Sequence, residues 1–365
     1  ALQTGTEEGG PDMEFIRKNK KSILEILFLV LLVAFTFYAL LKDQELEEIG
    51  RVLETADPGW LIAALVLVIV FVCSESVIIH YMMTSLGKKT KLHQCIRYSF
   101  IGFFYSCITP SASGGQPAQI YYMSKDGLDV SVSTLVLMIV TITYKAVLVL
   151  VGFVVLLFMG PVILAYMGSS RYLLYLGMGL NVIAVTSMMI LVFVPEWTKR
   201  ILYYGLRFLE KLHLLKHKRA RTRKLLLSMN KYREASVYFR THKKVVFHVM
   251  LITIFQRFSL FFVTWLVYRS FGLAGTPLYL VVILQAVISV AVDMLPLPGG
   301  VGVSEGLFMT MFEPVFGEKL LPGMLLSRGI SYYALLLISA AITFYAHLKL
   351  TRASLKKNRK IQKKM

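Results

Sequence analysis

Cysteine is scarce in this chain: three among 365 residues. Cys73, Cys95 and Cys107 each sit in apolar surroundings with no C-x-x-C pair, which argues against a disulfide framework or a zinc site and for small buried hydrophobes. Acid is also in short supply, with 21 Asp and Glu against 40 Lys and Arg, a net charge of +19. A Walker A sequence is missing, which excludes ATP hydrolysis by that device. Gly300-Val-Gly302 has its next glycine at Gly306, one position late for a dinucleotide loop, and no βαβ pattern surrounds it. His213 and His217 lie one turn apart in a basic segment with no acidic or cysteine partner, so they read as a solvated face and no metal is expected. No cofactor is expected either. Long soluble stretches are lacking too. The only sizeable one, Glu196 to Lys244, is near the ~40-residue floor for independent folding. No nucleophile–base constellation is recognisable.

What remains is apolar. Hydrophobic residues make up 56 % of the chain and its mean hydropathy is +0.64. Several runs reach the roughly 20 residues that cross a bilayer. The positive charge lies between these runs, as in cytoplasmic loops facing anionic headgroups, and no soluble fold gathers it into a nucleic-acid footprint. The expectation is an all-α polytopic membrane protein of about six full spans and two opposed re-entrant hairpins. Residues 1–12 are polar and glycine-rich and read as an appended remnant, with Met13 as the natural start.

The first span, Ser22 to Leu41, follows Arg17-Lys-Asn-Lys-Lys21, which places the N-terminus in the cytoplasm. No small-residue cleavage site follows it, so it reads as an anchor. The outer loop up to residue 59 is mostly acidic. A second span, Trp60 to Met83, carries Glu75 near its middle and ends in the basic turn Gly87 to Lys91. Residues 92–123 form an apolar segment interrupted by Pro110-Ser-Ala-Ser-Gly-Gly-Gln-Pro117, and then an arm about half as long as a spanning helix. Ser131 to Met159 holds Lys145 at its centre, and Arg171 to Val194 crosses back. Within the connecting region 160–244, Ile201, Leu202, Leu206, Leu209 and Leu212 recur at helical spacing among lysines and arginines, predicting an amphipathic helix on the inner leaflet. Val245 to Tyr268 carries Gln256-Arg257, residues 277–316 break at Leu295-Pro-Leu-Pro-Gly-Gly-Val-Gly-Val-Ser-Glu305, and the last span begins near Arg328. Residues 351–365 form a basic tail that puts the C-terminus in the cytoplasm.

The order repeats. Residues 60–159 and 245–350 each contain a span with a central charge, a hairpin broken at a Pro and Gly-Gly cluster, and a following span with a cation. The first unit starts outside and the second inside, so the two are inverted. Paired Gly/Pro-interrupted segments of this kind point to a transporter's midplane site.

Pro110-Ser-x-x-Gly-Gly-x-Pro117 together with Pro298-Gly-Gly-x-Gly-x-x-Glu305 resembles the membrane region of the lysylphosphatidylglycerol synthase/flippase proteins, over roughly Met13 to Leu350. The resemblance implies a multi-pass protein of a prokaryotic cell membrane that moves a polar-headgroup lipid between leaflets, with a part in antimicrobial-peptide resistance. In two-part members such as the multiple peptide resistance factor, the lipid is aminoacylated phosphatidylglycerol and a cytosolic aminoacyltransferase domain follows. This sequence departs there, since only a short basic tail follows Leu350. The departure removes the ground for lysyl transfer and leaves the lipid open.

The expected site is built from the two breaks. Helix N-termini after Gly115 and Gly300 suit a lipid phosphate, helped by Ser111, Ser113 and Ser304. Gly114, Gly115, Gly299, Gly300 and Gly302 let backbone approach the ligand, and Gln116 and Gln119 add neutral hydrogen-bonding groups. Glu305 reads either as the partner of a cationic headgroup or as the first-turn acid of a half-helix. Charges at membrane depth are costly, so Glu75, Lys145 and Arg257 are expected to face an interior cavity or to pair, Glu75 with Lys145 or with Arg257. Asp293 and Arg328 lie nearer span ends, where snorkelling is open to them. The function expected is translocation of a phospholipid. The rivals are a headgroup-modifying enzyme, a lysyltransferase by family name only, and a small-solute or ion transporter. The expected partners are membrane phospholipids, with anionic headgroups at the basic segment and no nucleic acid. A homo-oligomer and a separate lipid-synthesising enzyme are compatible with the sequence.

Overall fold

The computed structural model describes residues 46–194 and 219–362 without interruption, and isolated positions within 27–38 and 196–204. Most of the expected first span, residues 22–41, and most of the amphipathic stretch 201–212, with His213 and His217, lie outside the described residues.

Among the described residues there is no strand. A short helix, α1 (Leu46–Glu54), precedes the long α2 (Pro58–Ser85). Helix α2 starts as its sequence demands: Pro58 occupies the first turn, where no amide is needed, and the Asp57 carboxylate accepts from Gly59 N at 2.7 Å. A hairpin follows, α3 (Leu92–Ile108), a 3-10 turn (Pro110–Ala112) and α4 (Gly115–Lys125). Two long apolar helices, α5 (Val130–Met167) and α6 (Arg171–Phe193), cross back and forth. Helix α7 (Arg219–Thr241) is basic, and α8 (Lys243–Ser270) is again apolar. The second hairpin is α9 (Leu278–Val292), a 3-10 turn (Pro298–Gly300) and α10 (Val303–Phe316). The last helical stretch runs from α11 (Leu320–Arg328) through a π-helical segment (Gly329–Ala334) into α12 (Leu335–Gln362), so helix continues into residues expected to be tail.

This is an all-α polytopic membrane protein. Helices α2 and α8, the α5–α6 stretch and the run from Pro298 to Lys349 are long and apolar enough to cross a bilayer, while α9 is shorter. Their outward faces are bare hydrocarbon. Phe158 is 76 % exposed and Leu337 71 %, which water would penalise and lipid does not. Hydrocarbon gives helices no hydrophobic reason to associate, so close backbone packing does it instead. At Gly177 of α6 an added Cβ would come within 2.4 Å of Val290 O on α9.

Residues 60–159 and 245–350 each run in the order long helix, broken hairpin, long helical stretch. Helix α2 packs along α8. One core joins the end of α2 and the first hairpin to the start of α5 and to α7. Another joins α5 and α8 to the second hairpin. Between them a small cluster of Cys107, Ile108, Val301 and Tyr332 marks where the two breaks meet.

Candidate functional site

Each break follows from its proline. A residue before proline is driven out of the helical region, and Thr109 (φ −113°, ψ 144°) and Leu297 (φ −115°, ψ 132°) are both extended. Beyond that the two turns differ. In the second, Gly299, Gly300 and Gly302 take positive φ, which glycine adopts without steric penalty. In the first, the positive-φ residues are Ser111 (50°) and Ala112 (55°). The Thr109 hydroxyl helps hold that turn, donating to Tyr105 O at 2.6 Å and accepting from Gly114 N at 2.8 Å.

The two tips touch. Ser111 Oγ donates towards Leu295 O at 3.3 Å, and Tyr332 OH donates to Cys107 O at 3.2 Å. The Tyr332 ring also lies where a Cβ on Gly299 would sit, 2.2 Å away, so one tyrosine is wedged against both breaks.

Among the described residues these charges sort into two buried ion pairs and two groups, Glu75 and Arg257, that make no direct ion pair. Glu305 is fully buried. Its Oε2 accepts from Gly302 N at 2.7 Å, capping α10, and its Oε1 accepts from Arg328 Nε at 2.7 Å and from Tyr333 OH at 3.4 Å. Arg328 also donates to Gly299 O at 3.2 Å. Lys145 Nζ lies 2.6 Å from Asp293 Oδ2 and 3.5 Å from Asn181 Oδ1, and Tyr144 OH donates to the other Asp293 oxygen. Asp293 and Arg328 are therefore not snorkelling side chains. They sit beside the second break because the chain leaves helix there and exposes groups that need partners.

Glu75 does not pair with Lys145, and with Arg257 it makes no direct ion pair among the described residues, although the two opposite charges are close enough to attract each other. Lys145 is taken by Asp293, and Glu75 Oε1 accepts from Gln119 Nε2 at 2.7 Å. Gly102 of α3 makes room for that amide: an added Cβ would lie 2.3 Å from Gln119 Nε2. Arg257 is 6 % exposed. Its guanidinium lies over the Tyr144 ring at 3.5 Å, and its buried Nε has no hydrogen-bond partner. A cation so placed keeps directional donor capacity that the ring face does not use.

The remaining expected residues divide by exposure. Ser113 is exposed, Ser111, Gly114, Gln116, Gly299 and Gly302 are half-buried, and Gly115, Gln119, Gly300 and Ser304 are buried. Gln116 Nε2 donates to Thr141 Oγ1, tying α4 to α5. Sequence reasoning missed Tyr144, Asn181, Tyr332 and Tyr333. Asn181 had a signal, being the sole amide side chain of the apolar helix α6; the tyrosines blend into a membrane protein's ordinary aromatic content.

The profile described as the lysylphosphatidylglycerol synthase TM region matches residues 22–339. The chain belongs to that family. It is thus a membrane protein tied to lysylphosphatidylglycerol metabolism or translocation, and the match is to the family's membrane region, with no catalytic domain shown. Among curated proteins no match was found. The matched stretch contains both breaks and every charge just described.

Proposed function

We propose that the protein translocates a polar-headgroup phospholipid between leaflets, aminoacylated phosphatidylglycerol or a lipid like it. On this reading the two hairpins are re-entrant, enter from opposite faces of the bilayer and belong to inverted repeats, with both termini cytoplasmic. The observation that carries the proposal is the meeting of two broken hairpins, beside a carboxylate and a buried guanidinium that act on each other electrostatically but form no direct ion pair among the described residues, with the Arg257 Nε left without a hydrogen bond. Backbone that leaves helix at membrane depth is tolerated where it lies against protein or lines a polar path. Arg257, with its unused donor, would receive a phosphate oxygen. Glu75, held by a neutral amide, would receive an amino or aminoacyl group. Glu305 and Arg328 neutralise each other and hold the second break in shape. Acyl tails would stay in the bilayer while the headgroup passes the tips.

The test is leaflet-specific quenching of fluorescent lipids in proteoliposomes, for the wild type and for Glu75→Gln and Arg257→Gln. Translocation above that of empty liposomes, reduced in both variants, is the expected result. No acceleration for anionic, zwitterionic or aminoacylated lipid would refute it. Uptake of free solute without lipid movement would select the small-solute reading instead.

A further inference from the structure

A second feature lies away from the hairpin tips, at the basic end of the helix bundle. The turn from α2 to α3, the turn from α4 to α5, and α7 line an open groove with a volume of about 670 Å³. That is within the range of about 300–1,000 Å³ typical of ligand pockets. Gly87 and Gly127 form part of its wall at φ 69° and 87°, and open space lies where either Cβ would be. The wall is bare backbone at those two points, so a ligand can approach closely.

The charges in the cavity do not cancel. Asp126 is engaged by Arg97, and Asp129 by Lys231 at 2.6 Å and by Ser131 N at 3.0 Å. Both acids are thus neutralised by cations of the protein itself. Lys88 and Lys89 line the same cavity, are exposed, and have no partner among the described residues. A second, smaller cavity of about 390 Å³ adjoins it, shares Lys88 and Lys231, and is walled also by Leu86, Val132, Ala235, Tyr238 and the carboxylate-bearing Glu234, which acts on Lys231. The groove therefore grades from a cationic end at Lys88 and Lys89 to an end that is partly apolar and carries one acid, Glu234. Helix α7, which forms one side, carries exposed Leu227 and Val237 among its basic residues, as a helix lying on a bilayer does.

We propose that this groove is a second lipid site, which binds the phosphate-bearing headgroup of an anionic phospholipid against Lys88 and Lys89. Two unneutralised ammonium groups supply point-charge attraction for the phosphodiester, and the glycine turns leave it room. The partly apolar extension beside Tyr238 accommodates the glycerol and first acyl carbons. A free phosphate ion would use only the cationic half, whereas a lipid uses both. The site is separate from the hairpin tips, so it stands or falls independently of the transport reading.

The test is hydrogen–deuterium exchange of the full chain in nanodiscs of phosphatidylcholine alone or mixed with phosphatidylglycerol, followed over residues 84–91 and 124–131. Phosphatidylglycerol is expected to protect both segments. Lys88→Gln/Lys89→Gln is expected to raise the phosphatidylglycerol fraction needed for half-protection roughly tenfold. A charge-matched control, Lys243→Gln/Lys244→Gln at the start of α8, is expected to leave that fraction unchanged. An equal effect of the control would mean diffuse surface attraction and would overturn the site. So would equal protection by inorganic phosphate in phosphatidylcholine nanodiscs, which assigns the cavity to a soluble anion. Absence of protection in every arm overturns it as well.

Discussion

Removing the Glu305 charge should destabilise the second hairpin far more than removing both charges of its pair. The carboxylate is fully buried and its guanidinium partner only slightly exposed, with Nε and Oε1 2.7 Å apart. Glu305→Gln preserves shape and leaves an amide oxygen for Gly302 N, but strands the Arg328 charge in a low-dielectric interior. Breaking a buried pair on one side costs about 3–5 kcal/mol. Replacing both partners by neutral groups removes the stranded charge, so Glu305→Gln/Arg328→Met should recover roughly half or more of that loss. Some will not return, because Arg328 also donates to Gly299 O at 3.2 Å, and that carbonyl would lose its partner, at about 1–3 kcal/mol if it stays dry. The assay is reversible unfolding in mixed micelles across the four members of a double-mutant cycle. A coupling energy below ~1 kcal/mol, or a Glu305→Gln variant as stable as wild type, would refute the argument that these charges hold the break together.

Gly299→Ala should cost at least about 2 kcal/mol, combining a left-handed backbone with a Cβ forced 2.2 Å from the Tyr332 ring; unfolding of the same micellar protein measures it, and Tyr332→Ala should relieve only the steric part. Gly102→Ala should displace Gln119 from Glu75 and lower lipid translocation about tenfold or more, read in the quenching assay beside a stability control. Asp129, at the start of α5, gives a pH dependence. Burial alone would push its carboxyl up, but Lys231 Nζ and the amides of Ser131 and Val132 outweigh this and hold it below the ordinary range, while Asp129 in turn raises Lys231. A carboxyl depressed on folding stabilises above its unfolded value and loses that contribution as pH falls through the folded value. The raised lysine contributes below its own unfolded value and loses its contribution as pH rises through the folded one. The α5–α7 link should therefore hold across the neutral range and weaken in acid, seen as faster exchange in residues 227–240. Asp129→Asn should abolish the acid step.

How much of this was legible in the sequence depends on whether the signal was local. Length and apolarity fixed the spans of α2, α5, α6 and α8 because lipid imposes a length on any helix that crosses it. Proline and glycine fixed both breaks, since each acts on its own backbone and its immediate neighbour. Charge pairing was a different kind of question. Glu75, Lys145, Arg257, Asp293, Glu305 and Arg328 were all visible as costly groups. Which met which depended on the azimuth of several helices at once, and period and composition do not carry that. The pairing of Lys145 with Asp293, 148 residues apart, rests on the α5–α9 packing. Gly177 would have been a clue only to a reader who already knew that α6 faces α9.

The two breaks answer the same sequence problem with different backbone chemistry. The second places glycine at Gly299, Gly300 and Gly302, where positive φ is cheap, and buries Pro298 and Gly300. The first puts Ser111 and Ala112 in the left-handed region, where side-chain-bearing residues store of order 1–3 kcal/mol each. Ala112 and Ser113 are exposed. Strain of that size persists only while contacts such as Ser111 Oγ to Leu295 O, at 3.3 Å, hold the turn against its neighbour. If the tips part in transport, the first turn has energy to release and little packing to lose, whereas the second would have to break the Glu305–Arg328 pair. Ala112→Gly should thus relieve strain at the first tip and raise stability by about 1 kcal/mol, without touching a charge. An equal or larger loss of stability would show that the first turn is as firmly packed as the second and that the asymmetry carries no motion.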